Sequence, residues 1–79
     1  MIKSPRQQIA LAGFTAGDTD MLLSVYNSVR SGYSSPSPQI TAAILAAVVD
    51  MAGIGTRAPW KIAAYASRRA QFIANGADH

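Results

Sequence analysis

The residues best suited to chemistry lie toward the C-terminal end of this 79-residue chain: Lys61, Arg68 and Arg69, interleaved with Tyr65 and Phe72 and preceded by Arg57 and Trp60. Read as a helix, Arg68, Lys61, Phe72, Tyr65 and Arg69 share an arc of about 100°. Cations alternating with rings can neutralise phosphates while the rings stack on bases. They can equally receive an acidic protein surface, because Arg and aromatic side chains dominate binding energy at interfaces. A third arrangement is structural, with Tyr65 and Phe72 packed on a neighbouring helix and the Lys and Arg stems draped over its edge. Among the functional readings a protein partner is preferred, with Arg57, Trp60, Lys61, Tyr65, Arg68, Arg69 and Phe72 as its candidate binding residues. Trp60, beside Pro59, is expected to anchor packing in the first instance and an interface in the second.

The same segment also has the outline of a helix-turn-helix. There the second helix enters the major groove and its N-terminal residues reach the bases. Arg57, Trp60, Lys61 and Ala64 would face DNA, and Thr56 with the free N–H groups of the helix start could hold a phosphate. Pro59 and Trp60 stand where small polar readers are expected, and no Asn or Gln follows until Gln71. A nucleic-acid partner is therefore the alternative reading.

Other constellations are weaker. Gly53-x-Gly55-Thr56 lacks the preceding strand and the Lys of a phosphate-binding loop, and reads as a helix stop followed by a turn. His79 is the single histidine and the last residue, a poor place for a base that packing must hold. The chain has no Cys and no Glu, so thiolate metal sites are excluded and no metal or cofactor is expected. Paired acids, an embedded His and a nucleophilic thiol are all missing, which argues against an enzyme. Asp50 stands alone in an apolar segment, where a carboxylate is costly unless paired. Arg57, Arg68 or Arg69 is its expected internal partner.

The elements that must position these residues are helices. Alanine is abundant and β-branched alternation is absent, so the expectation is an all-α fold, a compact bundle of three to four short helices in a single domain. The first helix covers residues 5–12, with Ser4 as its cap, Pro5 at its first position and Gly13 at its stop. The second covers residues 19–31 with Asp18 as the cap. Its apolar stripe of Met21, Leu22, Val25, Tyr26 and Val29 opposes a polar face. Residues 32–38, rich in Ser, Pro and Gly, form a loop between two helical pairs.

The third helix, residues 38–52 capped by Ser37, has large apolar side chains on one half and Ala42, Ala43, Ala46 and Ala47 on the other, with Asp50 alone among them. A helix apolar all round is normally buried. Three other helices cannot fully cover it, so Ile40, Ile44, Ala46, Val49 and Asp50 are expected at an interface with a second copy or another protein. The fourth helix covers residues 59–74 and ends at Asn75-Gly76. The tail 77–79 is expected to be disordered.

Composition sharpens the expectation of a partner. The chain is 49% hydrophobic and 14% charged, against about 25% charged in an average soluble domain. A domain this small buries only about 60% of the surface its unfolded chain exposes, so some of the remaining surface should be meant for covering. The net charge of +3 reflects scarce acids more than abundant bases: seven Lys and Arg against Asp18, Asp20, Asp50 and Asp78. The longest apolar run, residues 42–49, is far short of the roughly 20 needed to span a bilayer. The polar N-terminus has no signal-peptide core. These features predict a cytoplasmic protein with no membrane partner. The function expected is non-catalytic protein–protein association by a small helical oligomer, a dimer or larger, acting as assembly subunit, adaptor or inhibitor. Such a role suits a phage or mobile-element protein.

Overall fold

A computed structural model describes residues 3–76 and shows an all-α bundle of four helices. They are α1 (Pro5–Leu11), α2 (Ala16–Arg30), α3 (Pro38–Gly53) and α4 (Pro59–Ala74). The expectations for His79 and for the tail 77–79 fall outside the described residues.

Local sequence accounts for most of the boundaries. The Ser4 hydroxyl accepts from the Gln7 N–H at 3.2 Å, and the Gln7 Oε1 accepts from the Ser4 N–H at 2.8 Å. This reciprocal capping box, with Pro5 at the first position, satisfies two donors that the helix leaves free. Ser37 repeats the hydroxyl cap for α3, accepting from the Ile40 N–H at 3.2 Å. The α3 stop uses Gly55, whose φ of +101° is a conformation that side chains with a Cβ resist. There the Thr56 N–H reaches back to the Met51 carbonyl at 3.2 Å.

The second helix begins earlier than expected. Thr15, not Asp18, is its cap: the Thr15 hydroxyl accepts from the Asp18 N–H at 3.1 Å. Asp18 consequently lies inside the first turn, where its charge complements the helix dipole and its carboxylate is free to bond elsewhere.

α2, α3 and α4 pack against one another, and α1 lies mainly on α2. The core they enclose includes Ile9, Leu22, Val25, Ile44, Val48 and Ile62, with Ala66 and Ala70 allowing α4 close approach. The α3 helix is not buried all round. Its aliphatic half, centred on Ile44 and Val48, faces the core, while Ala42, Ala46 and Asp50 are exposed. Among the described residues, no helix is long and apolar enough to cross a membrane.

Candidate functional site

Helix α4 places Ile62, Ala66 and Ala70 fully inside the core. At about 100° per residue the opposite side is then occupied by Trp60, Ala64, Arg68 and Phe72. Four-residue spacing aligns these side chains in a ridge along the helix, the kind of ridge that seats in the groove of another helix. Ala64 is the notch in this ridge. Lys61 and Arg69 flank it, both exposed.

Two contacts keep rings and cations together. The Lys61 ammonium lies 5.5 Å from the centroid of the Trp60 ring, and the Arg69 guanidinium 5.9 Å from that of Phe72. Exposed pairs of this kind contribute about 0.5–1 kcal/mol each, enough to bias side-chain orientation without burying either partner. Among the described residues the carboxylates of α2 are committed elsewhere: Asp20 pairs with Arg6 at 2.7 Å and Asp18 with Arg57 at 3.1 Å. Lys61, Arg68 and Arg69 therefore project from α4 without an ionic partner among those residues.

The candidate binding residues do not all fall on this face. Arg57 leaves it. Its Nε donates to Asp18, its Nη1 to the carbonyls of Ala52 (2.7 Å) and Thr56 (3.0 Å), and its guanidinium stacks 5.6 Å from the centroid of Phe14. These contacts make Arg57 a clamp holding α2, the end of α3 and the turn before α4. They also remove it from the group expected to face DNA. Tyr65 is half-buried against the core, at the margin of the face. Trp60 is not a packing anchor: it is 70% exposed, and Phe72 is 49% exposed. The structural reading, in which both rings are packed away, holds for Tyr65 alone.

The residues expected at an interface on the third helix split between two faces. Ile44 is fully buried in the chain's own core, and Ile40 is half-buried against it. Both are withdrawn from any shared outer surface by the periodicity that turns the aliphatic half inward. Ala46 and Asp50 lie on the outer face, with Val49 half-buried at its edge. Asp50 makes no ion pair with Arg57, Arg68 or Arg69. Exposure to water removes the cost that demanded a partner, since a solvated carboxylate needs none.

Sequence reasoning missed a shallow groove beside Trp60, lined by Ser24, Val25 and Ser28 of α2 and Pro59 and Ala63 of α4. The polar face of α2 gave only a faint signal for it, in Ser24 and Ser28 one helical turn apart. Among the described residues, no three metal-ligating side chains come together. Comparison with protein-family models, curated proteins and solved structures finds no match to this chain.

Proposed function

We propose that the protein is a non-catalytic docking module that engages a larger protein through the outer face of α4. The observation that carries this reading is the exposure of Trp60. The largest side chain in the sequence stands 70% open to solvent, although burying it would remove more apolar area from water than burying any other residue. Trp and Arg are the side chains most often found at the energetic centre of an interface, and the ridge from Trp60 to Phe72 presents both. The matching partner is an acidic surface with an apolar furrow, suited to an assembly subunit, adaptor or inhibitor role.

Photo-crosslinking from position 64 in extract of the native host tests this. A discrete protein adduct is expected, lost when Trp60 and Arg68 are both changed to Ala while the thermal melt stays unchanged. Absence of an adduct, or an adduct indifferent to those substitutions, overturns the reading.

The alternative, a nucleic-acid-binding module using the same helix, is favoured by one observation: no acidic residue occurs between Met51 and Ala77. Titration of labelled duplex DNA separates the two. Binding that falls steeply with salt, and is lost when Lys61, Arg68 and Arg69 become Ala, supports the alternative. No binding at low salt removes it.

A further inference from the structure

A second open surface lies away from the outer face of α4, between α1 and α3. Two adjoining depressions share Gln8, Ala42 and Leu45. One extends along α3 past Ala46 to Asp50, and the other runs to Lys3 and Pro5 at the start of α1. Together they form one groove with a mainly apolar floor. The only charged side chains lining it are Lys3 and Asp50, of opposite sign and at opposite ends. Among the described residues, neither has an ionic partner.

We propose that the occupant of this groove is a second copy of the chain, docked about a twofold axis with the two α3 helices antiparallel. A twofold interface is self-complementary: if one residue meets another across it, the reciprocal contact is made as well. A groove with a cation at one end and an anion at the other meets that condition with itself. Turning a second copy end for end sets Lys3 of one protomer against the partner's Asp50, and Asp50 against the partner's Lys3. A uniformly acidic or uniformly basic partner would be repelled at one end. Between the charges, Ala42 and Ala46 have no side chain beyond Cβ, so the two backbones can approach closely. Half-buried Val49 supplies the apolar contact beside them, over a floor formed by Leu45, which is buried in the chain's own core. The surface is separate from the docking face of α4, and the proposal stands or falls independently of it.

Sedimentation equilibrium across a wide range of protein concentration tests the assembly, and charge reversal tests its geometry. The unaltered protein is expected to dimerise reversibly. Lys3→Glu or Asp50→Lys alone should weaken the dimer by about tenfold, because each turns two reciprocal pairs repulsive. The two reversals combined should restore it. Ala46→Arg should abolish dimerisation while leaving the circular-dichroism melt of the monomer unchanged, since Ala46 is exposed in its own fold. A protein that stays monomeric throughout overturns the proposal and leaves the groove to a different partner. A dimer that the double reversal fails to restore, or that tolerates Ala46→Arg, overturns the twofold arrangement.

Discussion

The guanidinium of Arg57 bonds the carboxylate of Asp18 across 39 positions of sequence, Nε to Oδ2 at 3.1 Å. The bond joins the first turn of α2 to the segment that launches α4. The same side chain donates to the Ala52 carbonyl at the end of α3, an acceptor it shares with the Gly55 N–H at 3.0 Å. One residue therefore sets the relative positions of three helix ends. The direction in which α4 leaves the turn, and with it the side that Trp60 presents, depends on this clamp.

Replacing Arg57 with Ala should destabilise the fold by about 1–2 kcal/mol, read from urea unfolding followed by circular dichroism. The bond to Ala52 accounts for most of this, being partly buried and charge-assisted. The ion pair is more exposed, with side chains 43% and 31% accessible. Asp18→Asn should consequently cost under about 1 kcal/mol. Arg57→Lys should recover little of the loss, because an ammonium cannot reach several acceptors with a planar fork. Equal costs for Arg57→Ala and Asp18→Asn would show that the ion pair, not the bond to the Ala52 carbonyl, holds the turn.

Among the described residues, α4 is the one helix with no side-chain cap: Ala58 stands where the other three helices have Ser4, Thr15 and Ser37. Ala58 already has extended backbone, with φ of −84° and ψ of 111°, so a hydroxyl there can accept from the Trp60 N–H or share the Lys61 N–H, which now bonds the Ala58 carbonyl at 3.0 Å. Ala58→Ser should raise stability by about 0.5–1 kcal/mol, which in a domain of this size raises Tm by a few degrees. Ala58→Val, which adds bulk but no acceptor oxygen, should give no such gain. A Ser variant that melts at or below the unaltered protein would mean that the first turn of α4 is already satisfied in solution.

Much of the fold was legible because local chemistry set it. Ser4-Pro5, Ser37-Pro38 and Pro59 mark helix starts through capping and fixed φ, and those boundaries agree with the structure. The start of α2 was misread because Thr15 and Asp18 are both good caps, and Gly17 weakens the helical pattern between them. The division of α3 was legible only in part: Ala47, grouped by periodicity with the other alanines, is buried in the core and Ala43 is half-buried, while Ala42, Ala46 and Asp50 stay outside. Alanine suits a close helix contact and open solvent equally well, so only tertiary packing decides. The role of Arg57 was out of reach for a different reason: its partner lies in another helix, and no local pattern points to it. On α4 the basic and aromatic arc was legible, whereas the exposure of Trp60 was not, because a large apolar ring is ordinarily expected inside.

Thr19 provides a test of the core. It is buried at 4% exposure, and its hydroxyl has no hydrogen-bond partner among the described residues. An unsatisfied buried hydroxyl is destabilising, and replacing it with an apolar group of the same shape removes the penalty. Thr19→Val keeps the branched outline and should stabilise the fold by about 0.5–1 kcal/mol, measurable as a shift in urea midpoint with unchanged slope. A destabilised Val variant would instead indicate that the hydroxyl finds a partner, such as a backbone carbonyl of the preceding turn or a water.

The decisive contrast lies within three residues of α4. Ile62 is fully buried and Trp60 is 70% exposed. Ile62→Ala leaves a cavity at the packing of α4 on α2 and α3, and should cost about 2–5 kcal/mol. Trp60→Ala removes a larger side chain and should alter stability by no more than about 0.5 kcal/mol, because that side chain is largely hydrated in the free protein. If the α4 face is the docking surface, the order reverses for binding. Ile62→Val, which keeps the helix in place, should leave partner capture intact, and Trp60→Ala should abolish it. Fluorescence offers a direct reading, since Trp60 is the sole tryptophan. Its emission should lie near that of free tryptophan in the isolated protein and move to shorter wavelength in the complex. Emission already shifted in the isolated monomer would place the ring in a covered site, and the docking face would have to be sought elsewhere.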